Sequence, residues 1–289
     1  MIPAAFDYVR PGSIDEAVSA IAAAGEDGKV LAGGQSLIPV LRLRLAYPST
    51  LVDVGRIPEL RGVRDDDGAI VIGAMTTHHD VMHDALVRQH APLIVQATAT
   101  VADPQVRHRG TFGGALAHAD PAGDLGAVAL ALGCEFVCVG PGGERRVAAS
   151  DFFLDYLTTA LSPDELLTAI RVPKLGPGWA SHYEKFNRVA QAWSIVGVAV
   201  AVRQDGGTIA DARVGLTNMG STPLRATATE QALSGASATA DGIASAVAHA
   251  AEGTHAPSDL SGQADYREHL VRVLTGRAVL AACAAGPGA

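Results

Sequence analysis

The pattern of apolar and polar positions in the first 55 residues predicts a small α/β unit. A capping box at 13–16 opens an Ala-rich amphipathic helix that ends at Gly25. Short apolar strands are predicted at 29–31 and 50–54, with a second helix starting near Ser36 between them. Because strands joined through a helix run parallel, this order indicates a small parallel sheet.

A second region, about 56–175, contains hairpin-type turns and indicates a larger, mainly antiparallel unit. The pattern predicts strands at 69–73, 134–139 and 144–148 and helices at 78–89, 91–100 and 124–132. Between Asp103 and Asp124 the chain is rich in Gly, Pro, His and Asp. Long loops of this kind in compact domains are frequently functional.

A third region follows the Pro- and Gly-rich stretch 173–178, which is the best candidate for a domain linker. Beyond it the pattern predicts strands at 183–186, 195–203 and 211–216 and helices at 227–233, 239–251 and 264–284. The sequence therefore predicts an α+β fold with domains 1–175 and 178–285, the first divided into subdomains at about residue 55.

Composition excludes several function classes. The 289 residues suit two domains of roughly 150 residues each. A net charge of -8 and 4% aromatic residues disfavour nucleic-acid binding. No apolar run approaches the ~20 residues of a membrane span, and the N-terminal sequence lacks a signal-peptide pattern. Three cysteines without cluster spacing disfavour an iron–sulfur centre on this chain and indicate a reduced, cytoplasmic location.

Two Gly-Gly pairs carry the candidate chemistry. Gly33-Gly34 follows a predicted strand and precedes a helix that Ser36 could cap, and Gly113-Gly114 lies in the Gly-rich stretch. A Gly pair at positive φ can turn backbone N–H groups to one side and form an anion-binding nest. Each pair alone could be a tight turn, but two nests suit a ligand with two phosphates. Neither has dinucleotide-fingerprint or P-loop spacing.

A histidine-rich helix supplies a rival interpretation. His79 and His83 lie one helical turn apart, with Asp80 where a zinc protease has its Glu base. Asp is shorter than Glu and would reach a metal-bound water poorly. The pattern therefore favours a solvated helix face over a zinc-dependent hydrolase.

The glycine motifs also resemble a known family. The segments Ala32-Gly33-Gly34-Gln35-Ser36-Leu37-Ile38-Pro39 and Thr111-Phe112-Gly113-Gly114-Ala115, followed by Asp120-Pro121-Ala122-Gly123-Asp124, are similar to the two FAD motifs of the FAD-binding medium subunits of molybdenum hydroxylases. This is the carbon monoxide dehydrogenase and xanthine dehydrogenase family. The likeness covers nearly the whole chain.

The resemblance implies that both motifs clasp the FAD pyrophosphate. The cofactor-binding residues that it implies are Ala32, Gly33, Gly34, Gln35, Ser36, Leu37, Thr77, Val101, Thr111, Phe112, Gly113, Gly114, Ala115, Asp124, Leu167, Lys185 and Trp193. Asp124 would bind a ribose or nearby hydroxyl, or alternatively cap a helix. Lys185 would contact the flavin and favour its reduced, anionic form. Trp193 stands where relatives often have Tyr and could stack on the flavin ring.

The implied fold is a two-subdomain FAD-binding domain of the vanillyl-alcohol-oxidase type. A C-terminal domain with a three-stranded antiparallel sheet and a helical bundle follows. The implied function is an electron-transfer subunit that carries FAD. A large partner would hold molybdopterin and a small partner two [2Fe–2S] clusters, in a dimer of heterotrimers. A flavin-free scaffold is a further alternative, which the intact Gly pairs disfavour.

Overall fold

In the computed structural model, which describes residues 1–286, the N-terminal unit is a three-stranded parallel sheet with two helices. Its elements are β1 (Asp7–Val9), α1 (Ile14–Ala24), β2 (Gly28–Leu31), α2 (Leu37–Arg42) and β3 (Thr50–Asp53). β3 lies between β1 and β2 and runs parallel to both; the sequence predicts the parallel pairing of β2 with β3 but not β1. The hydroxyl of Ser13 caps α1 by accepting the N–H of Glu16 at 3.2 Å.

The middle unit is built on a five-stranded antiparallel sheet with helices packed against it. Its elements are β4 (Val63–Asp66), β5 (Ala69–Gly73), α3 (His78–His83), α4 (Ala85–His90), α5 (Pro92–Ala99), α6 (Pro104–Arg107), α7 (Phe112–His118), α8 (Asp124–Leu132), β6 (Glu135–Gly140), β7 (Gly143–Ala148), α9 (Ala149–Phe152), β8 (Phe153–Asp155), β9 (Thr158–Thr159) and β10 (Leu166–Pro173). The strand order is β4-β5-β10-β6-β7, and β8 pairs separately with β9.

The sequence pattern does not predict the short elements β4, α6, α7, β8 and β9, and two further features of this unit differ from the prediction. The helix predicted at 78–89 is two helices, because Asp84 is extended and its carboxylate caps α4 by accepting the N–H groups of Leu86 and Val87. β10, the central strand, was not predicted. Residues 166–170 of this strand are all buried, so its sequence shows no alternation of apolar and polar positions, as is usual for a strand buried on both faces.

The C-terminal unit is an antiparallel sheet covered by helices. Its elements are β11 (Trp179–Phe186), β12 (Val196–Asp205), β13 (Thr208–Thr217), β14 (Leu224–Arg225), α10 (Thr227–Leu233), α11 (Ala240–Val247) and α12 (Ala264–Ala285). The strand order is β11-β12-β13-β14, so the sheet has four strands where the sequence predicted three. β14 has only two residues, which is too short to show a period.

Helix α8 joins the middle and C-terminal units. All but one of its nine residues are buried, and they include Asp124 at its first position. On the C-terminal sheet, a Cβ at Gly215 would lie 2.1 Å from the carbonyl oxygen of Ala127. The glycine thus lets the backbone of β13 rest directly on α8, which places the N-terminus of α8 at the junction of the two units.

Within residues 1–286, no helix is both long enough and apolar enough to cross a membrane.

Candidate cofactor site

The first glycine motif, residues 32–37, forms the turn between β2 and α2. Gly34 has φ = 76°, a conformation that favours glycine. Within residues 1–286, none of the five backbone N–H groups of residues 33–37 donates to a protein acceptor. Ser36 is the N-cap residue of α2, but its side chain makes no capping hydrogen bond. A run of free N–H groups before a helix is a favourable environment for an anion.

The second glycine motif, residues 111–115, has a different conformation from the predicted nest. Neither Gly113 nor Gly114 has positive φ. Its N–H groups from residue 112 onward are used within the protein, on the acceptors Thr76 O, Ala74 O, Thr111 Oγ1 and Thr111 O in chain order. The interpretation of this Gly pair as a nest at positive φ is therefore wrong. The pair opens α7, and Thr111 is its N-cap.

The two glycine motifs nevertheless meet. A Cβ at Gly33 would lie 2.4 Å from the carbonyl oxygen of Arg109 and 3.0 Å from the nitrogen of Thr111. A Cβ at Gly114 would lie 3.2 Å from the Cβ of Ala32. Among the described residues, the N–H of Thr111 also has no protein acceptor. The second motif thus adds its first N–H to the free groups of the first motif.

Thr77 lies beside the second glycine motif. It forms an isolated antiparallel bridge with Thr111, supported by hydrogen bonds from His78 N–H to Gly110 O and from Phe112 N–H to Thr76 O. Its hydroxyl caps α3 by accepting the N–H of Asp80 at 3.1 Å.

Asp124 and Lys185 lie together in a buried ion pair. The Lys185 Nζ is 2.8 Å from the Asp124 Oδ2, and both side chains are 5% exposed. Asp124 also accepts hydrogen bonds from the hydroxyls of Tyr183 and Ser194. The N-cap residue of α8 is Gly123 and not Asp124, so the alternative of a capping role for Asp124 is wrong.

Two open cavities border this network. One, of about 460 Å³, is lined by Thr100, Asp103, Arg107, Lys185 and Gln191 among others. Another, of about 650 Å³, is lined by residues that include Asp120, Tyr156, Trp193 and Ser194. Trp193 is 54% exposed. The structure thus places Lys185 and Trp193 on different cavities, although Ser194, next to Trp193, shares the Asp124 carboxylate with Lys185.

Three other predicted site residues, Phe112, Leu167 and Val101, are buried to different extents. The side chains of Phe112 and Leu167 lie in the main hydrophobic core, where they are 1% and 5% exposed. Val101 is half-buried between Thr100 and Ala102, which line the smaller cavity, and its carbonyl accepts the Arg107 Nη1–H at 2.8 Å. The Phe112 side chain therefore packs the protein, and its backbone N–H is already bonded to Thr76.

The rings of His79, His83 and His108 pack against one another and do not point their nitrogens at a common metal site. The His79 ring centroid is 4.2 Å from that of His83 and 3.9 Å from that of His108, with interplanar angles of 37° and 28°. Stacked rings face each other with their π surfaces and not with their nitrogen lone pairs. In the part of the chain that the structure describes, no group of three or more His, Cys, Asp or Glu residues could hold a metal ion. No observation favours the zinc-dependent hydrolase.

Comparison with known proteins decides the family. Residues 4–175 match the model of the FAD-binding domain in molybdopterin dehydrogenase. Residues 181–282 match that of the CO dehydrogenase flavoprotein C-terminal domain. The chain belongs to the FAD-binding subunits of the molybdenum hydroxylases.

Several members of this family are similar to this chain along nearly its whole length. The carbon monoxide dehydrogenase medium chain of Hydrogenophaga pseudoflava is 41% identical over 286 residues, which cover 98% of this chain and 99% of that protein. A solved structure of carbon monoxide dehydrogenase from the same organism matches with a TM-score of 0.96, 43% identity and coverage of 98% and 99%. Quinoline 2-oxidoreductase from Pseudomonas putida 86 matches with a TM-score of 0.94, 32% identity and 99% coverage of both chains.

The sequence-based prediction omits two side chains that contact Asp124, Tyr183 and Ser194. Tyr183 lies two residues before Lys185 on a predicted strand, so the alternation rule places both on one face. That signal could have found it. Ser194 approaches Asp124 across 70 residues of sequence, and no local pattern reports such a contact.

His78 lies buried next to Gly110, the residue that precedes the second glycine motif of the candidate site. It is 3% exposed, and a Cβ at Gly110 would lie 2.9 Å from its Cδ2. Burial, with a smaller effect of the Arg107 charge, lowers the pKa of His78 from 6.5 to about 4. The folded protein therefore holds a neutral His78 at a pH where the unfolded chain protonates it.

We predict that His78 makes folding pH-dependent. Its pKa is lower in the folded state, so its full contribution is present above about pH 6.5 and is lost as pH falls toward 4. Relative to His78→Leu, which cannot titrate, the parent should lose about 2 kcal/mol more stability by about pH 5. Urea denaturation at several pH values measures this, with the exposed His83→Leu as a control. Parallel pH profiles for the parent and His78→Leu would contradict the prediction.

Proposed function

We propose that this chain is the FAD-carrying electron-transfer subunit of a molybdenum-containing hydroxylase or dehydrogenase. It would pass electrons from [2Fe–2S] clusters on a small partner subunit to an external acceptor. The observation that carries the proposal is the set of free N–H groups where the two glycine motifs meet, at residues 33–37 and Thr111. A diphosphate is the group that this set of donors fits.

The residues divide the binding of FAD between them. The backbone of residues 33–37 and Thr111 would hold the pyrophosphate, and Gly33 keeps the two motifs in contact. Lys185 would face the flavin from the smaller cavity, where the protein around it lowers solvent screening. When bound, FAD supplies two-electron redox chemistry, while the protein supplies binding, orientation and electrostatics.

The proposed partners follow from the relatives. Several are named as medium chains or FAD-binding subunits of dehydrogenases, which supports a large molybdopterin subunit and a small [2Fe–2S] subunit as partners of this chain. A dimer of these heterotrimers, in the cytoplasm, is the assembly that we propose. The domain boundaries 1–175 and 178–285 belong to the same proposal.

The cysteines support the placement of the clusters on another chain. Cys134 and Cys138 are buried free thiols, and burial raises their pKa to about 12 and about 11. Thiolates are the ligands of iron–sulfur clusters, so protonated thiols at these positions are poor ligands.

The first test of the proposal is a substitution of Gly34, the glycine at positive φ in the first motif. A valine at Gly34 would strain the turn by roughly 1–2 kcal/mol. It would also cost a charge-assisted hydrogen bond of about 1.5–3 kcal/mol. FAD binding by Gly34→Val should weaken by roughly 70-fold to several thousand-fold. The measurement is the FAD dissociation constant of the deflavinated full chain, with circular dichroism as the check on folding.

Gly176→Val is the matched control for this test. A Cβ at Gly176 meets nothing within 4 Å, its φ is not positive, and it precedes a proline, where extended residues are favoured. An unchanged FAD dissociation constant in folded Gly34→Val would contradict the proposal. Gly114→Val is a poorer test, because the Gly114 N–H is bonded to Thr111 Oγ1 and its Cβ would lie 2.5 Å from that atom.

A second prediction is that this chain binds FAD but does not itself oxidise the substrate. The chain expressed alone should bind FAD, and dithionite should reduce that flavin. Carbon monoxide, purines and N-heterocycles should leave it oxidised, since substrate oxidation belongs to the proposed molybdopterin subunit. Anaerobic absorbance spectra measure the flavin. Bleaching by any of these substrates in the isolated chain would contradict the proposal.

A third prediction tests Trp193 as a neighbour of the flavin ring. An indole stacked on a flat π-system transfers excitation to it, so FAD should quench Trp193 fluorescence. The measurement uses a Trp179→Phe background, which leaves Trp193 as the single tryptophan. Equal emission from the FAD-loaded and deflavinated proteins would count against stacking.

A further inference from the structure

The Asp124 carboxylate lies at the centre of a buried hydrogen-bond network. Its Oδ1 accepts from the Tyr183 hydroxyl at 2.7 Å and from the Ser194 hydroxyl at 2.6 Å. Its Oδ2 accepts from the Lys185 ammonium at 2.8 Å. All three donors come from the C-terminal unit, whereas Asp124 opens α8 of the middle unit. The three contacts fix both oxygens of the carboxylate.

The Lys185 ammonium has one donor left over. Two of its three N–H groups are accounted for by Asp124 and by the carbonyl of Thr100 at 3.1 Å. Among residues 1–286 the third has no acceptor, and Lys185 lines the cavity of about 460 Å³. The protein thus accepts hydrogen bonds from two of the three N–H groups of Lys185, and, among the described residues, the third remains free to bond a ligand in the cavity.

The sheet makes room for the Tyr183 hydroxyl. A Cβ at Gly197, the residue paired with Lys185 on β12, would lie 2.5 Å from the Tyr183 oxygen. Ser194 is fixed as well, because the Asn218 side chain donates to its carbonyl at 2.7 Å. Burial and the neighbouring Asp124 raise the pKa of Tyr183 well above its usual value of 10.0, so this hydroxyl stays a donor at ordinary pH.

We infer that Tyr183 and Ser194 are positioning residues for the flavin-facing cation, and that they act through Asp124 to hold Lys185 at the cavity wall. The inference rests on the proposed function, because it takes the flavin of FAD as the ligand of this cavity. A lysine is a flexible point charge, and beside the Thr100 carbonyl the Asp124 carboxylate is the charged group that holds Lys185 in place. Without the hydroxyl donors the carboxylate can rotate and draw the ammonium away from the cavity.

The test is a double-mutant cycle on the full chain. Tyr183→Phe should weaken FAD binding by about 3- to 10-fold, and Lys185→Met should weaken it at least as much. Both should lower the flavin midpoint potential, because both withdraw positive charge from the reduced, anionic flavin. The double variant should be no weaker than Lys185→Met alone, since Tyr183 acts through Lys185.

Two controls and a replacement variant keep the inference falsifiable. Tyr47→Phe removes an exposed hydroxyl, and Ser181→Ala removes a buried hydroxyl without a hydrogen-bond partner, so both should leave affinity and potential unchanged. If Tyr183→Phe fails to fold, Ser194→Ala takes its place in the cycle, and its own matched control is Ser181→Ala.

Three results would overturn the inference. One is a Tyr183→Phe protein with a lower Tm but parental FAD affinity and midpoint potential, which would show a structural role only. Another is full additivity with Lys185→Met. The last is a Lys185→Met protein that binds FAD normally. In that case, loss of FAD by Gly34→Val would show that the proposed function survives while this inference fails.

Discussion

The backbone of Gly33 packs directly against the backbone of residues 109–111, and the candidate site depends on this contact. A Cβ at Gly33 would lie only 2.4 Å from the Arg109 carbonyl oxygen, so no other residue fits without moving one of the two loops. The contact brings a turn of the parallel sheet to the start of α7. It also groups the N–H of Thr111 with the five free N–H groups of the first motif. The donors that this contact groups together are all backbone N–H groups.

A buried ion pair organises the other half of the site. Taking Asp124 and Lys185 out of water carries a desolvation cost, which their mutual attraction and added hydrogen bonds offset. Removal of one partner alone typically costs about 3–5 kcal/mol, because the other charge stays buried and unpaired. The same contact that fixes Lys185 therefore also fastens the C-terminal sheet to α8.

The sequence predicts much of the fold because its signals are local. The capping box at Ser13, the parallel β–α–β order and the long strands of the C-terminal sheet all follow from spacing within a few residues. The sequence pattern does not predict β10, because a strand buried on both faces has no alternation of apolar and polar residues. Its last residue, Pro173, is also the first residue of the Pro- and Gly-rich linker. Asp84 carries a local signal, since Asp is a preferred N-cap, yet the apolar period runs on across it.

The site was less predictable, for a physical reason. The glycine motifs identified where the phosphate-binding backbone lies, but φ is set by tertiary contacts, and Gly113 and Gly114 proved helical. The pairing of Asp124 with Lys185 spans 61 residues of sequence, so no periodicity could report it. Both residues were identified by family likeness as separate ligands, whereas the structure joins them in one network.

The burial of α8 bears on how the chain can be divided. The core that surrounds this helix also takes in Tyr183 and Ala199 from the C-terminal sheet, so the two family domains share one apolar interior. Cutting the chain at the Pro- and Gly-rich stretch would leave the C-terminal face of α8 exposed as a hydrophobic surface. The ends of the two family matches, at residues 175 and 181, therefore do not mark a break in the packed core of the protein.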